Sequence, residues 1–211
     1  MADAWDISRF AWRRYRPAPL FPRCLMTLRS LICPLDVVAT AVPEGSRVLD
    51  VGCGAGLLLH WLAEEGRAAS GVGFDMSAGA IAAAATCVPQ GVSLKFECRG
   101  PAEAWPDGPF DVVTVVDVLH HVPPDAQRAF IGRLQTTGAK RIVFKDVDVC
   151  PRWKRWANAL HDFLMTRRRV WPRAMSDTSA WLEADGFRIV RARRLDQLCY
   201  SHYLIVAERA S

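Results

Sequence analysis

The stretch that most constrains this chain is Val48 to Gly56, which reads VLDVGCGAG. An apolar run ending in an acid, then glycines at 52, 54 and 56, then Leu57-Leu58-Leu59, describes a buried strand, a tight turn and the start of a helix. Without a Cβ, glycine can take a positive φ or let a ligand approach the backbone, and the amides that open the next helix favour a polar or anionic group. The spacing GxGxG departs from the GxGxxG of dinucleotide folds, and no GK[ST] ending of a phosphate loop follows. A second strand ends in Gly73-Phe74-Asp75-Met76-Ser77, which puts Asp75 where a doubly wound sheet presents an acid to ribose hydroxyls.

With these two segments and FDVVTVVDVLHHVP at 110–123 in order, the chain resembles the class I S-adenosylmethionine-dependent methyltransferases over roughly residues 45–146. The resemblance implies that backbone at Gly52, Cys53, Gly54 and Gly56 faces the aminoacyl end of the methyl donor, with Asp50 orienting the loop or the donor's amine. It implies that Asp75 accepts hydrogen bonds from both ribose hydroxyls, a task that suits a carboxylate with two acceptor oxygens. Met76 is placed against the adenine face. In many relatives an acid after the third strand reads the adenine amine. Here that segment is Gly100-Pro101-Ala102-Glu103, which leaves backbone at Ala102 or Glu103 to do so, or Glu103 as a surface cap. Asp117, at the end of the fourth strand, has a family counterpart that lines the donor pocket.

Methyl transfer from a sulfonium needs mainly alignment of two reactants, with a base only where the acceptor must lose a proton. Of the pair His120-His121, His121 is the candidate base, since imidazole titrates near neutrality. His161 is a second candidate, on a helix reading RWKRWANALHDFL that also carries Asp162. Lys145 and Asp146 close the fifth strand and His202 opens the last, so these three and Asp162 are candidate acceptor contacts. Tyr15 joins them from the Trp- and Arg-rich N-terminus, read as a lid over the pocket or a contact with a membrane surface. For each of the histidines a satisfied structural role stands beside the functional one.

Alternation of apolar runs predicts strands near 47–51, 70–74, 92–96, 110–116, 140–145, 187–194 and 200–207, and helices near 56–65, 77–86, 124–135, 152–165 and 176–185. The fold class is α/β: a Rossmann-like doubly wound sheet of seven strands, mostly parallel, closed by a C-terminal antiparallel hairpin. Residues 1–46 are expected as an N-terminal helical cap and 47–211 as the methyltransferase domain. In the cap, Phe21, Leu25, Leu28 and Ile32 share one helical face, expected to pack on the core, and Pro34 ends that helix.

A length of 211 residues fits one domain with a sizeable core. Seven cysteines without a CxxC pair, and no histidine cluster at metal spacing, point to free thiols, a reducing cytoplasmic compartment and no metal. Neither a signal peptide nor a bilayer-spanning run is present. The net charge of +5 is uneven: residues 47–146 hold 9 Lys/Arg and 11 Asp/Glu, while residues 147–211 hold 12 and 7. Such a surplus suits an anionic substrate, an acidic carrier or a lipid surface, or simply solvates the chain. The [DNS]PP[YFW] tetrapeptide of enzymes that methylate base amines is replaced by DVLHHVP, which argues against nucleic acid. A small-molecule O- or C-methyl acceptor follows. A narrower resemblance to small bacterial methyltransferases of polyketide or aryl-polyene pathways implies an aryl, carrier-bound acceptor. The alternatives are a lipid- or quinone-directed methyltransferase at a membrane and a non-catalytic module that keeps the fold.

Overall fold

A computed structural model describes residues 3–149, 170–197 and 200–210. The helix expected near 152–165, with His161 and Asp162, lies outside the described residues. Seven strands form one sheet: β1 (Ser46–Val51), β2 (Ala68–Asp75), β3 (Leu94–Cys98), β4 (Val112–Val116), β5 (Arg141–Val147), β6 (Phe187–Gln197) and β7 (Tyr200–Arg209), in the order β3-β2-β1-β4-β5-β7-β6. β1 pairs parallel with β2, and β2 with β3, whereas β7 runs antiparallel between β5 and β6. The C-terminal hairpin thus has the geometry expected from its short connection, with the paired strands closing further, to Gln197 and Tyr200. Burial on both faces explains the unbroken apolar reading of β4, Val112-Val113-Thr114-Val115-Val116, all of it enclosed.

Contacts divide the chain into two compact units, Met1–Thr114 and Val115–Ser211. The first holds α1 (Ala4–Arg14), α2 (Leu20–Ile32), α3 (Leu35–Thr40), α4 (Leu57–Glu64) and α5 (Ala78–Thr86) around β1, β2 and β3. Asp3 and Asp6 close a reciprocal capping box on α1, giving a definite start to a helix whose apolar periodicity is ragged. Ser77 caps α5 through the amide of Ala80, as its position predicts. Pro34 follows α2 and directly begins α3, a short helix that the sequence pattern did not announce.

The expected packing of α2 is reversed. Met26 and Ser30 are its buried residues, while Phe21 and Leu28 are exposed. Ser8 of α1 donates to the Thr27 carbonyl, and this close helix–helix contact needs the small, polar side of α2 rather than its bulky one. The apolar stripe is therefore turned outward.

The second unit holds α6 (Pro124–Thr136) and α7 (Met175–Ala184) with β5, β6 and β7. Gly186, with φ 83°, ends α7 in the left-handed conformation expected of a glycine just past a helix C-terminus.

Candidate donor site and histidine–aspartate pair

β1 ends at Val51 and the chain turns through Gly52 (φ 68°), Gly54 (φ 54°) and Gly56 (φ 79°) into α4. Gly56 is required twice. Its φ disfavours any L side chain, and a Cβ there would lie 2.5 Å from the Phe96 ring. The amides of Gly52 and Cys53 both donate to the Phe74 carbonyl (2.9 and 3.0 Å), which locks the loop onto the end of β2. Gly54 N–H donates to Asp75 Oδ2 (3.0 Å) and Ser77 N–H to Asp75 Oδ1 (2.8 Å). One carboxylate therefore joins the two sequence motifs. Each of its oxygens keeps acceptor capacity, and the space beside Gly54 is open: a Cβ built there would meet nothing within 4 Å. Met76 follows with its side chain exposed.

Behind the loop, Asp50 is buried and accepts from the Thr114 hydroxyl (2.7 Å). Burial raises its pKa to about 7, against the opposing pull of the Thr114 bond. Burial likewise raises the Cys53 thiol, with the negative charges of Asp50 and Asp75 adding to it, so Cys53 is a filler and not a nucleophile. Tyr15 is fully enclosed, and its hydroxyl donates to the Ala55 carbonyl (2.5 Å). It packs edge-on against His60, whose ring meets Phe96, the side chain under Gly56. His60 Nε2–H donates to the Ala84 carbonyl (3.1 Å), and burial lowers its pKa to about 4. Tyr15 is thus a strut behind the glycine loop rather than a residue exposed on a lid. Sequence spacing could not show that, because the contact spans forty residues. Ala102 and Glu103 lie in an exposed turn where Glu103 caps the Gly100 amide at 2.8 Å.

In the second unit, Asp117 has φ 58°, the one left-handed non-glycine among the described residues, and Lys145 Nζ holds its Oδ1 at 2.5 Å. Lys145 is completely buried and therefore positions Asp117. Asp146, also buried, bonds to His120 Nδ1 and to the His120 amide. The ring of His121 lies 4.1 Å from that of His120, centroid to centroid, and His121 is exposed. Gln127 donates to the carbonyls of Leu119, Val122 and Trp171, fixing the 3-10 turn Leu119–His121 that carries both histidines. His202 is buried opposite Val147, and Tyr203 bonds to Thr178 at 3.0 Å. The sequence singled out Asp146 and the histidine pair without showing that His120 and Asp146 meet; only adjacency of strand ends could hint at it.

Donor atoms of Asp117, His120 and Asp146 lie within 4.8 Å of one another, a grouping that could accept a divalent cation. The Lys145 ammonium on Asp117 competes for that role, as does the His120 bond to Asp146.

A glycine corner answered by an acid at the end of the next strand is a Rossmann-like ligand site, and the sheet with β7 inserted antiparallel has the form that the resemblance to class I methyltransferases implies. A family model described as a methyltransferase domain matches residues 48–137. An uncharacterized methyltransferase of Synechocystis is 30% identical over 156 residues, spanning 72% of this chain and 71% of its own length. A ubiquinone biosynthesis O-methyltransferase of Sodalis glossinidius is 36% identical over 145 residues, 66% of this chain; the chain spans about half (55%) of that relative's length. Among solved structures, the magnesium protoporphyrin IX methyltransferase of Synechocystis with bound S-adenosylhomocysteine superposes with a TM-score of 0.71 at 21% identity, covering 98% of this chain and 96% of that one. The chain belongs to the class I S-adenosylmethionine-dependent methyltransferase family.

Proposed function

We propose that the protein binds S-adenosylmethionine at the Gly52–Gly56 corner and Asp75, and methylates a hydroxyl oxygen, or an activated carbon, of a small aromatic acceptor. The observation that carries this reading is the Asp75 carboxylate, tied to the Gly54 and Ser77 amides yet open on the side of the loop. Those residues fit a ribose diol, with Met76 beside the base. Held there, S-adenosylmethionine would supply a methyl group carried on a positively charged sulfur, which would leave as the neutral thioether once the acceptor oxygen had taken the methyl.

The remaining requirement is to receive the hydroxyl proton. His121, exposed at the end of the 3-10 turn, is the group we assign to it, with the buried His120–Asp146 pair fixing the turn from behind. Asp117 and Lys145 hold the neighbouring strand end. The similarity to a ubiquinone biosynthesis O-methyltransferase supports methyl transfer to an oxygen, and the basic C-terminal region suits an acceptor presented on an acidic carrier. The thiols of Cys24, Cys33, Cys53, Cys87 and Cys98, all free, support a cytoplasmic setting. Among the described residues no helix is long and apolar enough to cross a membrane.

Labelled methyl transfer to a panel of phenols, catechols and aryl acids tests this, with His121→Ala as the variant. We expect transfer to at least one hydroxyl and a fall in kcat of about 100-fold or more without that imidazole. Undiminished transfer by the variant would remove His121 from the mechanism, and transfer to none of the panel would remove the acceptor class.

A further inference from the structure

We propose that the α1–α2 hairpin is a docking surface for an anionic phospholipid bilayer. The outward face of α2 presents Leu20, Phe21, Leu25 and Leu28, with 67, 73, 37 and 57% of their surface exposed. Such residues, at the spacing of an amphipathic helix, ordinarily mark the side that enters a core, and a contiguous exposed patch of this kind marks an interaction site. α1 adds Trp5 and Trp12, 62 and 44% exposed, on the side that also carries Arg9 and Arg13, and Arg16 is exposed in the turn just after the helix. At the seam between the helices the Arg23 guanidinium lies 3.6 Å from the centre of the Trp12 ring.

Charge selects the occupant. Residues 1–33 hold six arginines against two aspartates, whereas the stretch 47–146 is net acidic. A groove of about 730 Å³ runs beside Arg13, Arg14 and Arg16, with Phe10, Pro17 and Val88 among its walls together with Glu64, which holds Arg14 at 2.8 Å and leaves Arg13 and Arg16 as the cations turned to solvent there. Tryptophan and arginine beside leucine and phenylalanine match the layered chemistry of a bilayer surface: phosphate for the guanidinium groups, the headgroup boundary for the indoles and acyl chains for the aliphatic side chains. A folded acidic partner would satisfy the arginines and leave Phe21 and Leu28 to find a separate apolar site. Tyr15, the residue that caps the end of α1, bonds to the Ala55 carbonyl, so the helix that would meet the bilayer also braces the glycine loop.

The test is co-sedimentation of the full chain with vesicles of phosphatidylglycerol and phosphatidylcholine, equimolar, against pure phosphatidylcholine, over a range of salt. Wild type should bind the anionic vesicles, and salt should release it. Arg13→Gln with Arg16→Gln should weaken binding by about fivefold per arginine. Phe21→Ser with Leu28→Ser should abolish it while leaving circular dichroism and thermal unfolding unchanged, because both side chains are already in water. No binding by wild type, or equal binding by the Phe21/Leu28 variant, overturns the proposal. So does a wild-type dimer that this variant abolishes in the absence of vesicle binding, since the patch would then be an interface between copies. Capture of an acidic carrier protein that the Arg13/Arg16 variant loses, with no binding to vesicles, overturns it as well.

Discussion

Replacing Asp50 by Asn should make the protein more stable at neutral pH than in acid, relative to wild type. Asp50 sits behind the glycine loop at 2% exposure, and burial lifts its pKa from 3.8 to about 7. Below pH 3.8 the carboxyl is neutral in both folded and unfolded chains, so its raised pKa costs nothing there. As pH rises towards 7 the unfolded chain gives up the proton first, and the folded state is progressively penalised. The loss is complete above the folded value. At 1.36 kcal/mol for each pH unit separating the two values, it amounts to about 4 kcal/mol in the ligand-free protein. Asn keeps an acceptor for the Thr114 hydroxyl and carries no titration. Urea unfolding of both proteins between pH 5 and 8 would show the difference, Asn minus wild type, growing by roughly 2.5 kcal/mol from pH 5 to 7. His60, with its pKa lowered to about 4, acts in the opposite sense by destabilising the fold as pH falls below 6.5. It is present in both proteins and cancels. A difference that stays flat with pH, or shrinks, would refute the claim that Asp50 is held largely neutral by burial.

Gly56→Ala should cost about 2 to 4 kcal/mol and lower Tm by several degrees, because a Cβ at 2.5 Å from Phe96 adds overpacking to a left-handed backbone. Gly54→Ala, with the same hand but open space, should cost only about 1 kcal/mol. Tyr15→Phe removes the donor to the Ala55 carbonyl and leaves that buried acceptor unpaired, so it should lose about 1 to 3 kcal/mol in denaturant unfolding and weaken S-adenosylhomocysteine binding as the loop relaxes.

The parts of this protein that sequence makes legible are those set by neighbours along the chain. Apolar runs bounded by glycine placed all seven strands, and Ser77 and Gly186 marked helix ends, because strand burial and capping are local. The glycine corner and Asp75 were legible for the same reason: each sits immediately after a strand, and parallel pairing of β1 with β2 brings the two ends together. What packs against what was not legible. The stripe Phe21-Leu25-Leu28 has the period of a buried face and yet lies in water, since periodicity defines a face without naming its partner. Tyr15 and Lys145 looked like residues that reach for a ligand, but both are enclosed and brace a loop or a strand end. The His120–Asp146 pair joins groups twenty-six residues apart, and no spacing rule announces it.

The central claim is that Asp75 and the glycine loop form the donor site. Its most direct test is calorimetric titration of S-adenosylhomocysteine, which binds without turnover, into wild type and Asp75→Ala, with NAD as control. Two charge-assisted hydrogen bonds to the ribose, at about 1.5 to 3 kcal/mol each, predict that wild type binds and that the variant loses at least about 100-fold in affinity. Equal affinity in the two proteins, or binding of NAD in place of S-adenosylhomocysteine, would contradict it.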